Sequence, residues 1–196
     1  MAEALWFDLE GERFHALAWG AQGLPPVLFL HGFPEYSGAW AEVAEALQTH
    51  YRCIAPDQRG YGQSPAPLGK EHYGPSRLVA DMARLIEALG QGPIAVVGHD
   101  WGAAIAYGLA ILRPELVAKL VVLNGVHPGP FQRALAAGGA QSEASQYIDW
   151  LRRDGSEDLL AADSFAKLRA LFSANMEMDW LRGDRLNAYR TEGSRP

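Results

Sequence analysis

The sequence contains a single cysteine, Cys53. That excludes an internal disulfide framework, and no cysteine and histidine cluster at ligand spacing points to a structural zinc. Long apolar runs are missing as well. The best candidate, Ala103 to Leu112, is bounded by Trp-Gly and Arg-Pro and falls short of the roughly 18 apolar residues of a membrane span. Met1 to Asp8 has neither the basic start nor the apolar run of a signal peptide. Basic residues are outnumbered by acidic ones, 17 to 23, and the net charge of −6 is spread along the chain, which argues against a phosphate-tracking surface. There are no internal repeats and no low-complexity run. These features predict a soluble cytoplasmic protein with no metal, no cofactor, and neither nucleic acid nor membrane as partner; the oligomeric state is not encoded in them.

What the sequence does hold is a foldable balance. Of 196 residues, 48% are hydrophobic, 20% charged and 10% aromatic, which excludes a disordered, collagen-like or coiled-coil chain. The length suits one domain, or one domain with a modest insertion. Ala4 to Leu9 and Arg13 to Trp19 alternate in polarity around Glu10-Gly11-Glu12 and predict an antiparallel hairpin. Past Pro25-Pro26 the alternation stops. Val27 to Leu30 and Ile94 to Val97 are wholly apolar, as strands covered on both faces are. Tyr51 to Ala55 and Val117 to Leu123 are further strand candidates, and Ser37 to Gln48, Ser76 to Leu89 and Trp101 to Leu112 carry helical patterns. Strands alternating with helices imply an α/β fold with a mostly parallel sheet and an antiparallel N-terminal edge, in which ligands gather at the carboxyl ends of the strands. From Pro128 the strand signal disappears. The expected organisation is a core over residues 1–127 and a helical cap over 128–196.

The sharpest local feature is Gly98-His99-Asp100-Trp101-Gly102, directly after one apolar strand and directly before a helix. A chain that turns sharply from strand to helix needs small residues on either side of the corner, the geometry of the nucleophile elbow usually written Gly-x-Ser-x-Gly. Here the corner is an aspartate, which disfavours a serine esterase. At a helix N-terminus the free N–H groups and the dipole favour the anion, so Asp100 can act as a nucleophile without a base to deprotonate it. The alternative is that Asp100 is only a helix N-cap. A second feature, His31-Gly32-Phe33-Pro34, follows the strand that ends at Leu30. An elbow nucleophile needs an oxyanion site, commonly formed by the N–H after the nucleophile and one from the loop after the third strand. Those are the N–H groups of Trp101 and Phe33. Read by itself, the second feature is equally a Gly-Pro loop with a buried histidine.

On the residues His31-Gly-Phe-Pro-Glu35, Asp57-Gln-Arg-Gly-Tyr-Gly-Gln-Ser64 and Gly98-His-Asp-Trp-Gly-Ala103, the sequence resembles the α/β-hydrolase superfamily and, within it, the epoxide hydrolases. The resemblance covers residues 25 to 125, with weaker similarity through the cap. It implies that Asp100 attacks an epoxide carbon to give an alkyl ester, and that cap tyrosines donate hydrogen bonds to the epoxide oxygen. It also implies that a histidine oriented by an acid activates the water that hydrolyses the ester. Tyr147, in Ser145-Gln-Tyr-Ile-Asp149, matches the first cap tyrosine, while an amphipathic core role is the alternative. His31, Pro34 and Trp101 are expected to line the pocket for a small apolar epoxide. Haloalkane dehalogenases share the elbow aspartate and the tryptophan after it, and Trp150 and Trp180 keep a halide substrate as the second choice. Phe33, where those enzymes usually carry a polar residue such as asparagine, tips the balance toward epoxides.

The family pattern also calls for further strands after the cap, with an acid and a late histidine as the base. None of His15, His31, His50, His72, His99 and His127 occupies that late position. His99 is expected to point away from the nucleophile, and His127 to be a loop or structural residue. The sequence therefore predicts a chain that ends inside the cap, lacks the last core strands and forms an ester it cannot turn over. A non-catalytic remnant that binds small molecules under the cap is the alternative of another class.

Overall fold

The computed structural model describes residues 2–173 and 177–193. The chain divides into two compact units, residues 1–127 and 128–194. The first is built on a six-stranded sheet of order β1-β2-β4-β3-β5-β6. Strands β1 (Glu3–Leu9) and β2 (Glu12–Trp19) form the antiparallel hairpin, and β2 also pairs antiparallel with β4 (Arg52–Pro56). The rest is parallel: β4 with β3 (Pro26–Leu30), β3 with β5 (Ile94–His99), and β5 with β6 (Val117–Leu123). Three helices connect these strands: α1 (Ala41–Leu47), α2 (Pro75–Leu89) and α3 (Trp101–Leu112). The segment expected as one helix from Ser37 begins instead as a 3-10 turn, Ser37–Trp40, and becomes α-helical only at Ala41.

The wholly apolar strands have a plain physical cause. Successive side chains of a strand point to opposite faces, and in β3 both faces are covered. Leu28 and Leu30 pack with Met82, Leu85 and Ile86 of α2 and Ile105 and Leu109 of α3, whereas Val27 and Phe29 pack with Trp19, Trp40 and Ala44 on the other side. Full burial of such a side chain contributes about 1.5–3 kcal/mol, so the two layers fix β3 in the middle of the sheet. The carboxyl ends of β3 and β5 then lie side by side, with Leu30 opposite Gly98 in the register.

Ion pairs tie the hairpin to α2. Arg59, buried, donates through Nε and Nη2 to Asp81 at 2.6 and 3.0 Å, and through Nη1 and Nη2 to Glu12 at 2.8 and 2.6 Å. Arg77 reaches the same Glu12 at 2.6 Å, and Arg84 bonds Glu10 at 2.5 Å. Residues 128–193 are helical wherever regular structure is described, in α4 (Pro128–Ala137), α5 (Ala140–Ala144), α6 (Gln146–Leu151), α7 (Ser156–Ser173) and α8 (Gly183–Gly193), with α7 broken at Ala162 to Phe165, where the backbone leaves helical values. Among the described residues no helix is long and apolar enough to cross a membrane.

The ion-pair network yields two expectations. Removing one partner of a buried pair leaves an uncompensated charge, so Asp81→Ala should lower the unfolding free energy by about 3–5 kcal/mol in urea, whereas loss of the exposed Glu10 carboxylate should cost no more than about 1 kcal/mol. The hydrogen bond from Arg59 lowers the Glu12 pKa from 4.5 to about 2, against opposing burial and with further help from Arg77. A depressed carboxyl stabilises the fold above its unfolded value, and that stabilisation is lost as pH falls through the folded one. Glu12→Gln should therefore be less stable at pH 7 and show a shallower loss of stability between pH 4.5 and 2.

Candidate active site

Asp100 stands at the corner between β5 and α3 with φ 51° and ψ −116°. A non-glycine residue held in that region costs about 1–3 kcal/mol. Its side chain makes no capping hydrogen bond to the helix, so the simple N-cap alternative does not describe it. The corner is possible because the residues two positions to either side, Gly98 and Gly102, carry no Cβ. A Cβ on Gly98 would lie 2.5 Å from the Gly102 carbonyl oxygen, and one on Gly102 would collide with the Leu30 carbonyl oxygen. A third glycine lets the loop after β3 close on the corner, since a Cβ on Gly32 would sit 2.5 Å from the Asp100 Cβ and 2.8 Å from its Oδ1.

That close approach brings the Phe33 N–H to Asp100 Oδ1 at 3.0 Å. The Trp101 N–H opens α3 and so has no partner within the helix. His31 is fully buried, and burial pushes its pKa down. Its Nε2 accepts the Gln58 N–H at 3.2 Å, which places the proton on Nδ1, 3.0 Å from the Gly32 carbonyl oxygen. The Gln58 side-chain amide donates to the His31 carbonyl at 2.6 Å, and the Tyr61 ring stands edge-on to the imidazole at 4.8 Å. His31 thus fastens the loop after β4 to the loop that carries Phe33. Asp57, buried at the start of the β4 loop, accepts from His15 Nδ1 at 2.7 Å and from the N–H groups of Ser37 and Gln63 at 2.8 and 3.0 Å. Burial opposes its ionisation, yet these bonds prevail and hold the carboxyl below its usual value.

A cavity of 210 Å³ opens beside the elbow, lined by His31, Gln58, Tyr61, Tyr73, Trp101 and Ile105 among others. It includes two of the three residues expected in the pocket. Pro34 is not in its lining and follows Phe33 through a cis peptide bond. Asp100, Phe33, Trp101 and His31 are therefore assembled within one unit. Tyr147 lies half-exposed on α6 of the other. One pair was not foreseen from the sequence. His99, expected to point away, bonds Glu35 Oε2 through Nδ1 at 2.9 Å, and the same oxygen receives the Gly32 N–H at 3.2 Å. The available signal was position alone, since both residues sit at or just past the carboxyl ends of neighbouring strands. His127 packs edge-on against Tyr107 at 5.1 Å. Among the described residues no group of three or more histidine, cysteine or acidic side chains could hold a metal.

A parallel sheet, a strained elbow with glycines on both sides and a backbone donor aimed at the corner side chain define a class, and the family comparison agrees. Residues 25–191 match the alpha/beta hydrolase fold family, and the chain belongs to it. It is 36% identical over 170 residues to epoxide hydrolase 4 of Homo sapiens, covering 84% of this chain and 46% of that protein. It thus spans about half the length of the curated relatives it matches. A Bacillus megaterium epoxide hydrolase crystallised with an inhibitor superposes with a TM-score of 0.87 at 34% identity, over 96% of this chain and 66% of the other. For an epoxide hydrolase from Vigna radiata the TM-score is 0.83 at 30% identity, over 99% and 68%.

The packing at Gly32 predicts an asymmetry between glycines. Gly32→Ala should cost about 1–3 kcal/mol in thermal or urea unfolding, because the added methyl meets the Asp100 side chain. Gly74→Ala, at φ −61° with nothing within 4 Å of the new methyl, should stay within about 0.5 kcal/mol of the parent.

Proposed function

We propose that the protein is an epoxide hydrolase that opens a small apolar epoxide to a diol through an ester on Asp100, with residues 128–196 as the helical cap. The observation that carries this reading is the Phe33 N–H on Asp100 Oδ1. With Oδ1 held there, Oδ2 supplies the attacking electron pair. A bond forms from Oδ2 to a ring carbon, the ring C–O bond breaks, and its electrons pass to the epoxide oxygen, which takes a proton; the family resemblance assigns the donor of that proton to the Tyr147 hydroxyl. The carbonyl oxygen of the new ester is then Oδ1, already at a backbone donor. When water adds to that carbonyl, the N–H groups of Phe33 and Trp101 meet the developing oxyanion, a contact worth about 2.7–4 kcal/mol per donor in such sites. His31 and Trp101 contribute to the walls around the reacting carbon. In this reading the protein works in the cytoplasm, where its buried Cys53 thiol stays reduced.

Hydrolysis of the ester needs a base, and four of the six histidines are held in other contacts or buried. His15 is bonded to Asp57, His31 is buried, His99 is bonded to Glu35, and His127 packs on Tyr107. A polypeptide of these 196 residues is therefore expected to form the ester and keep it. Incubation with styrene oxide followed by intact-mass spectrometry should show one added epoxide that persists for hours, and Asp100→Ala should abolish it. A folded protein that takes up no epoxide, or takes it up equally without Asp100, would leave a binding protein rather than an enzyme.

A further inference from the structure

We propose that Glu35 and His99 form a positioning pair that presets the oxyanion site, with Glu35 Oε2 bridging the His99 ring and the Gly32 N–H so that the next N–H in the chain, that of Phe33, points at Asp100. The role rests on the reading of Asp100 as nucleophile, but the geometry is independent of it. The loop after β3 has to present one particular peptide N–H to Asp100, and Gly32, the residue before Phe33, is the link least able to hold itself in place because glycine has the widest backbone freedom. The structure holds that link at both polar groups. Its carbonyl oxygen receives His31 Nδ1–H at 3.0 Å, and its N–H is held by Glu35 at 3.2 Å. Glu35 is in turn anchored at 2.9 Å by His99, the residue directly before the nucleophile in β5. The bridge therefore runs from one wall of the oxyanion site to the other, alongside the Phe33–Asp100 bond at 3.0 Å.

The charges agree with this role. The Glu35 hydrogen bond raises the His99 pKa against opposing burial, aided by the charges of Glu35 and Asp100. Burial resists ionisation of Glu35, but the His99 bond and charge together with the Gly32 N–H hold its carboxyl below the ordinary value. The other titratable groups around the pair are His31, buried with its pKa depressed, and Tyr61, whose phenol is pushed up by burial and by the nearby charges of Asp100 and Glu35. A raised histidine contributes its interaction below its folded pKa and loses it as pH rises through that value. The bridge is thus an ion pair while His99 is protonated and weakens as pH rises through its raised pKa.

Two readouts on the same proteins test this. In ¹⁵N NMR of the protein without substrate, the His99 ring should titrate above the ordinary histidine value. The Phe33 amide proton should move with the same midpoint, and Glu35→Gln should both lower that midpoint and shift the Phe33 amide at neutral pH. In the second readout, alkylation of Asp100 by styrene oxide should slow about tenfold in Glu35→Gln and in His99→Gln, with folding checked by circular dichroism, a smaller loss than removal of an oxyanion donor itself. The parent's decline in alkylation rate at alkaline pH should vanish in His99→Gln. A Phe33 amide that ignores both the His99 titration and Glu35→Gln would overturn the proposal, as would folded variants that alkylate at the parent's rate with its pH profile. If the parent forms no adduct at all, the epoxide reading fails, and the amide titration still decides whether the bridge positions Phe33.

Discussion

Three stretches of backbone meet around one side chain at a separation that excludes any Cβ. Gly98 and Gly102 flank the corner, and Gly32 closes on it from the neighbouring strand. Each elementary feature of the site follows from that contact. The strand must turn into α3 within one residue, so Asp100 is driven to φ 51°. Leu30 must stand opposite Gly98 in the sheet, so β3 and β5 must be adjacent and parallel. The two apolar layers on either face of β3 hold them there, and the strain at the elbow is carried by burial elsewhere.

Around this contact the loops are fixed by polar groups that have left water. His31 acts through its tautomer: with Nε2 occupied by the Gln58 N–H, its other nitrogen can only donate, and it donates to the loop that carries Phe33. Asp57 is the matching anchor in the adjacent loop, collecting His15, Ser37 and Gln63. Buried polar groups are costly unless satisfied and rigid once they are. A site made of backbone N–H groups needs that rigidity, because a donor displaced by an ångström no longer meets the charge it stabilises.

The features legible in the sequence are those set by local chemistry. The lack of alternation in Val27 to Leu30 marked a strand buried on both faces, and glycines on both sides of Asp100 between a strand and a helix marked the elbow. The pairs that hold the loops were not legible. His15 with Asp57, and Glu35 with His99, join residues 42 and 64 positions apart, and nothing in a single sequence states which of many charged residues will meet. The segment from Ser37 to Gln48 has the length of a helix, yet the Ser37 N–H is committed to Asp57 and the chain tightens to a 3-10 turn before α1 starts. In the second unit the helical spacing of Ala and Leu gave helices but not the break at Ala162 to Phe165.

In the proposed reaction all chemistry passes through a bond to Asp100, with its Oδ1 waiting at the Phe33 N–H. Reaction with epoxide in ¹⁸O-enriched water, removal of the excess epoxide, alkaline hydrolysis of the ester that persists and mass spectrometry of the peptide containing Asp100 test this most directly. The heavy oxygen is expected in the Asp100 carboxylate, together with a diol whose new oxygen came from the protein. Label in the diol with none in Asp100 would mean that water attacks the epoxide directly, and that Asp100 is not the nucleophile.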